Sequence, residues 1–245
     1  MSVLLESFTV LMDTCRSAMD GIITFIRTLM PAYLISVGIA TGSVTASAGY
    51  EMMVLVIYGV ERVLGSIVLP LISAYMMLSV INGIWSEEKL SFLIDMIHNT
   101  IGWILKLSLG TVGGISIFQS ALTPLIDSAR ASVLKKTVGA LPGVGNSLEN
   151  AVDLFVGSAV VIKNSVGICL LLLLLSFCVS PLLKLFLVSF SMKLAASLVG
   201  IVSDKRLTAC ANRTGEAGIM LFKVAGTAML LFVVTLAIVS LSVKR

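Results

Sequence analysis

Seven ionisable side chains stand inside or at the edges of long apolar stretches: Glu61, Arg62, Lys106, Lys163, Lys184, Lys193 and Lys223. A charge facing lipid near the bilayer centre costs roughly 2.5–3.5 kcal/mol or more. Each such group must therefore snorkel to a headgroup, face the interior of a helix bundle or line water. Lys163 and Lys223 read as snorkelling groups near helix ends. Lys184 and Lys193 are nine residues apart, about 13 Å along one helix, so both can hardly reach the same interface. At least one is expected to face protein or an aqueous path. Asp153 can partner Lys163 if the amphipathic segment that carries it folds back. Asp153, Lys163, Asn164, Lys184 and Lys193 are thus the candidate pore, gating or buried polar positions.

Other chemistry is not written in the chain. There is no G-x-x-x-x-G-K-[ST], H-E-x-x-H or G-x-S-x-G. Gly143-Val144-Gly145-Asn146 is close to the G-x-G-D of intramembrane aspartyl proteases, but the needed Asp is Asn. No mid-span carboxylate is placed to partner it, so no enzymatic activity, cofactor or metal is expected. Cys15, Cys169, Cys178 and Cys210 form no C-x-x-C pair and read as small packing residues. The single histidine, His98, reads as interfacial. The net charge of +4 is spread along the chain, which fits headgroup anchoring and implies no nucleic-acid surface.

The elements that must position these groups follow from composition. The chain is 58% hydrophobic and 12% charged, with a mean hydropathy of +1.08. A soluble domain carries about twice that charge. The apolar runs are continuous, unlike the alternating segments of a transmembrane barrel. The fold class is all-α, a polytopic membrane protein with about six transmembrane helices plus amphipathic or re-entrant helices around Pro142. No cleavable signal peptide is evident: residues 1–20 carry Glu6, Asp13 and Arg16 and lack a short apolar core.

In chain order, residues 1–28 are expected to form an amphipathic N-terminal helix. Leu4, Leu5, Phe8, Leu11, Met12, Cys15 and Met19 lie on one face. Residues 29–245 form a single membrane domain. Leu29–Ala48 is its first span. Glu61-Arg62 divides Glu51–Trp85 into an interfacial part and a span over Val63–Ile84. Ile97–Gln119 is the third span. Gly38, Gly42, Gly110 and Gly114 sit at the spacing of close helix packing. Residues 121–163 suggest an amphipathic hairpin around Leu141-Pro142-Gly143-Val144-Gly145, with Pro142, Gly143 and Gly145 as hinge positions. The apolar run Ser165–Val202 is about 38 residues, or roughly 57 Å as helix, against a hydrocarbon core of about 30 Å. Pro181, the fourth candidate hinge, is expected to divide it into Ser165–Val179 and Leu182–Val202. A polar loop, Ser203–Gly218, precedes the last span, Ile219–Leu241.

Three blocks carry a resemblance: Leu141-Pro142-Gly143-Val144-Gly145 with Ala151-Val152-Asp153; Ser158 to Gly167; and Pro181-Leu182-Leu183-Lys184. In order and spacing they resemble the stage III sporulation protein AE family of endospore-forming Firmicutes. The resemblance implies a permease-like or export-gate-like component of a channel between mother cell and forespore, needed for forespore development after engulfment. It implies a multi-pass location in the mother-cell membrane around the forespore. It implies ring-forming proteins and a separate ATPase of the same operon as partners, with a forespore channel protein. A homo-oligomer is expected beside these. Family members usually begin with a signal peptide and an extracytoplasmic segment, for which the N-terminal residues here give no sign. Two further readings stay open: a stand-alone secondary transporter and a non-conducting scaffold for ring assembly.

Overall fold

The computed structural model describes residues 2–41, 55–84, 90–111, 113–114, 145–202 and 205–241; among them every regular element is a helix. Helix α1 is Ser2–Thr41. Helix α2 runs over 55–84, and its middle, Leu64–Val68, is a π-helical turn leading into Leu69–Ile84. Helix α3 covers 91–111. Helix α4 is Gly145–Val202 and α5 is Lys205–Leu241. Asn82 links α2 to α3: its Oδ1 accepts from the Leu90 amide at 3.2 Å, and its Nδ2 donates to Ser91 Oγ at 3.3 Å.

Among the described residues, three stretches are long and apolar enough to cross a membrane: Leu55–Gly83, Leu171–Leu198 and Thr208–Val234. At 27 to 29 residues, each is about 40 Å of helix, more than the hydrocarbon core needs. The chain is therefore an all-helical polytopic membrane protein, as its composition predicts. Parts of the six expected spans fall outside the described residues.

The helices run through most of the breaks expected from sequence. Pro181 lies inside the 58-residue α4, which has no turn at Ser180-Pro181. The reason is backbone accounting. Proline in a helix forfeits one amide donor, whereas ending one helix and starting another leaves up to four amides and four carbonyls unpaired at each new terminus. In lipid the second cost is the larger, and proline is tolerated within the helix. Pro31 lies inside α1 by the same logic, so no break separates residues 1–28 from those that follow. Glu61-Arg62 does not divide α2, which is helical across both residues. The expected loop over Ser203–Gly218 is also corrected: α5 begins at Lys205 and its span at Thr208.

The chain forms two compact units. The first comprises Met1–Thr24, Tyr58–Gly110 and Leu174–Leu231. Its core is built from Leu11, Cys15, Ile22, Leu64, Ile72, Tyr75, Leu185 and Leu221, all nearly or fully enclosed. The amphipathic face of α1 thus packs within the protein. Helix α4 meets α5 through small residues: a Cβ at Gly215 would lie 2.6 Å from Lys193 Cγ and 3.3 Å from the Lys193 amide nitrogen. A Cβ at Gly218 would run into Ser189 and lie 3.0 Å from Leu11 Cδ1. Gly21 of α1 likewise has no room for a Cβ against the Phe177 ring. Such close approach is how helices associate in lipid, where packing takes over from the hydrophobic effect. The second unit comprises Phe25–Ile57, Thr111–Leu173 and Phe232–Arg245, with an edge-to-face pair between Phe25 and Phe232 at 5.5 Å.

Candidate functional site

Two polar sites involve α4 among the described residues of the first unit. One is centred on Glu216. Lys193 Nζ of α4 lies 3.9 Å from Glu216 Oε1 of α5. The hydroxyl of the buried Tyr75, on α2, donates to Glu216 Oε2 at 2.9 Å. One carboxylate thus ties together all three candidate spans. Gly215 permits this, because the Lys193 stem lies where a side chain on residue 215 would be. Arg213 and Asp95 bring further charge to bear on Tyr75, and the His98 ring stands 6.1 Å from the Tyr75 ring. The Arg213 Nη1 is buried without a hydrogen-bond partner. The Lys193 and Glu216 side chains are 35% and 37% exposed, and an ion pair that open to water contributes only about 0–1 kcal/mol. The charge-assisted bond from Tyr75 is the stronger contact, about 1.5–3 kcal/mol. This cluster is a lock between helices.

The other site is a groove between α1 and α4. Lys184 is thirteen residues after Leu171 and fourteen before Leu198, at the centre of its candidate span, and it is exposed. It lines a cavity of about 770 Å³ together with Asp13, Ser17, Ser176, Ser180 and Pro181. Ser176, Ser180 and Lys184 are four residues apart, as are Asp13 and Ser17, so each set falls on one helix face. Pro181 adds a further polar feature, because it supplies no amide to the carbonyl of Phe177, which also lines the cavity. A stripe of hydroxyls and a cation thus runs along the middle of a segment rich in leucine and phenylalanine.

The remaining sequence candidates fare unevenly. Asp153 and Lys163 stand on the uninterrupted α4, about 15 Å apart along it, so no fold-back pairs them. The side chains of Asp153, Lys163 and Asn164 lie outside the described residues, as do Pro142, Gly143 and Gly42. Gly145 opens α4 and Gly38 is within α1. A Cβ at Gly110 or Gly114 meets nothing within 4 Å, so neither glycine packs against another helix among the described residues. Lys106 and Lys223 are exposed, and Cys15, Cys178 and Cys210 are buried free thiols while Cys169 is exposed. Glu61, read from sequence as interfacial, is fully buried.

Sequence reasoning missed Glu216 because it lies among Arg213, Thr214 and Gly215, which read as a loop. The signal was present. Cys210, Thr214, Ala217, Leu221 and Val224, all buried, recur at helical spacing through that stretch. Among the described residues no group of three or more His, Cys, Asp and Glu side chains is placed to hold a metal ion.

The whole of this helical chain can be compared with known proteins. The model of one family, stage III sporulation protein AE, matches residues 1–242. The chain belongs to that family. Stage III sporulation protein AE of Bacillus subtilis (strain 168) is 23% identical over 236 residues, which cover 96% of this chain and 59% of that protein. The chain thus spans about three fifths of that relative's length. No solved structure matches. Membership makes this membrane protein a sporulation protein.

Proposed function

We propose that this family member is a non-enzymatic, permease-like or export-gate-like component of the channel complex joining mother cell and forespore. In this reading it crosses the mother-cell membrane several times. It works as a homo-oligomer with ring-forming proteins and a separate ATPase of the same operon, and it meets a forespore partner. The midspan groove carries the reading. Only 17% of the Leu171–Leu198 span is buried, against 56% of Thr208–Val234. This stretch of α4 therefore offers most of its surface to lipid or to other chains, and the charge of Lys184 at mid-span is costly against acyl chains, with Ser176 and Ser180 extending its polar face. Water, solute or another protein's polar surface is what such a stripe is fitted to meet. The lock at Glu216 holds α4 in place beside it.

The test is a charge inversion, Lys184→Glu, in the sporulating host. Heat-resistant spores should fall roughly tenfold or more, since inverting a charge at membrane depth shifts the energy of that path by more than about 1.4 kcal/mol. The block should follow engulfment, with the protein present at its normal level. Normal sporulation in Lys184→Glu cells would remove the groove from the account.

A further inference from the structure

Glu61 belongs to neither the Glu216 lock nor the groove. It is fully buried, and neither carboxyl oxygen has a hydrogen-bond partner. It stands on α2 inside the candidate span Leu55–Gly83. An ionised carboxylate enclosed in this way has no donor to hold its oxygens, whereas a carboxylic acid is neutral. Groups in this position within membrane proteins commonly serve proton movement.

The surroundings give it an exit. Glu61 also borders a cavity of about 250 Å³ whose wall includes Arg16 and Asp20 of α1 and Arg62 and Ser66 of α2. Arg16, Asp20 and Arg62 are exposed. On the α4 side the field of Glu61 reaches the buried Cys178 thiol. The charged and titratable groups around it are thus Arg16, Asp20, Arg62 and Cys178, and the cavity holds more positive charge than negative. Three residues on, the π-turn Leu64–Val68 begins, with the Leu69 amide donating to the Leu64 carbonyl. Closing a π-turn to ordinary α register rotates the segment before it by about 100°, enough to change the face that Glu61 presents.

We propose that Glu61 is a proton-binding site of the bundle, holding H⁺ in the arrangement described and releasing it to water in the Arg16–Arg62 cavity when the π-turn closes. Release breaks the carboxyl O–H bond, leaves the electron pair on the carboxylate and passes the proton to water. Arg16 and Arg62 then balance the new anion. This holds whether or not α4 borders a conduit.

Infrared difference spectra of the full chain in lipid bilayers, taken between mildly acidic and mildly alkaline buffer, test it. A protonated, weakly hydrogen-bonded carboxyl band should be present at the acidic end and lost at the alkaline end. It should be missing in Glu61→Gln and displaced in Glu61→Asp. Identical carboxyl bands in the native chain and both variants would overturn the proposal. So would a Glu61→Gln chain that fails to fold, because the amide reproduces the size and neutrality of the acid.

Discussion

Lys184 and Lys193 stand on one helix, about two and a half turns apart, and their surroundings differ in kind. Lys193 is five residues from the end of its span, against the glycine face of α5, with Glu216 as its partner. Lys184 is at mid-span in an open groove walled by hydroxyls and Asp13. The first charge is neutralised by the fold itself. The second lies in a groove that it shares with Asp13, Ser17, Ser176 and Ser180. The difference teaches that an intramembrane lysine carries no single meaning. Its depth and the neighbouring helix decide whether it closes the bundle or opens a polar path.

The comparison is most sharply broken by filling the α4–α5 contact. Gly218→Val forces a branched side chain into Ser189 and Leu11, and overpacking of this kind costs about 1–3 kcal/mol or more. Thermal unfolding in detergent should show the largest loss of any single change in the lock. A value within error of the native chain would mean that α4 and α5 do not meet there. Removing the partner comes next. Glu216→Ala strands Lys193 and Tyr75 and should cost about 1–3 kcal/mol, while Glu216→Gln, which still accepts from Tyr75, should cost less than half of that. Equal losses would show that charge rather than the Tyr75 contact holds the cluster. The smallest effect is expected away from both sites. Gly110→Ala enters open space and should stabilise α3 by up to about 1 kcal/mol through helix propensity. A loss there would reveal a packing partner for Gly110.

How much of this was legible in the sequence varies by element. The buried face of α1, with Phe8, Leu11, Met12, Cys15 and Met19, follows directly from 3.6-residue periodicity, though Leu5 on the same stripe is 41% exposed. The expectation that at least one of the two lysines faces protein or an aqueous path follows from spacing alone; in the structure Lys193 lies 3.9 Å from Glu216. Helix boundaries were harder to read because proline and paired charges are strong breakers in water and weaker ones in an apolar surrounding. Pro31, Pro181 and Glu61-Arg62 all lie within continuous helix for that reason. Of the expected packing glycines, Gly110 and Gly114 meet open space, while the surroundings of Gly38 and Gly42 lie outside what is described. Composition tells that small residues will meet a helix, but which face meets which is a tertiary decision, and it selected Gly21, Gly215 and Gly218. Asp13 and Ser17 as a wall opposite Lys184 could be found only from the pairing of α1 with α4.

Water at mid-span is the claim on which the contrast between the two lysines rests, and cysteine accessibility reads it directly. In a chain whose four native cysteines are replaced, single cysteines at Ser176, Ser180 and Lys184 are compared in native membranes with one at Val179, which is 47% exposed at similar depth and about 100° around the helix from Ser180. A charged, membrane-impermeant thiol reagent should label Ser176→Cys, Ser180→Cys and Lys184→Cys and leave Val179→Cys unmodified. If the three groove positions prove as inert as Val179→Cys, the groove is dry and the conduit reading is contradicted.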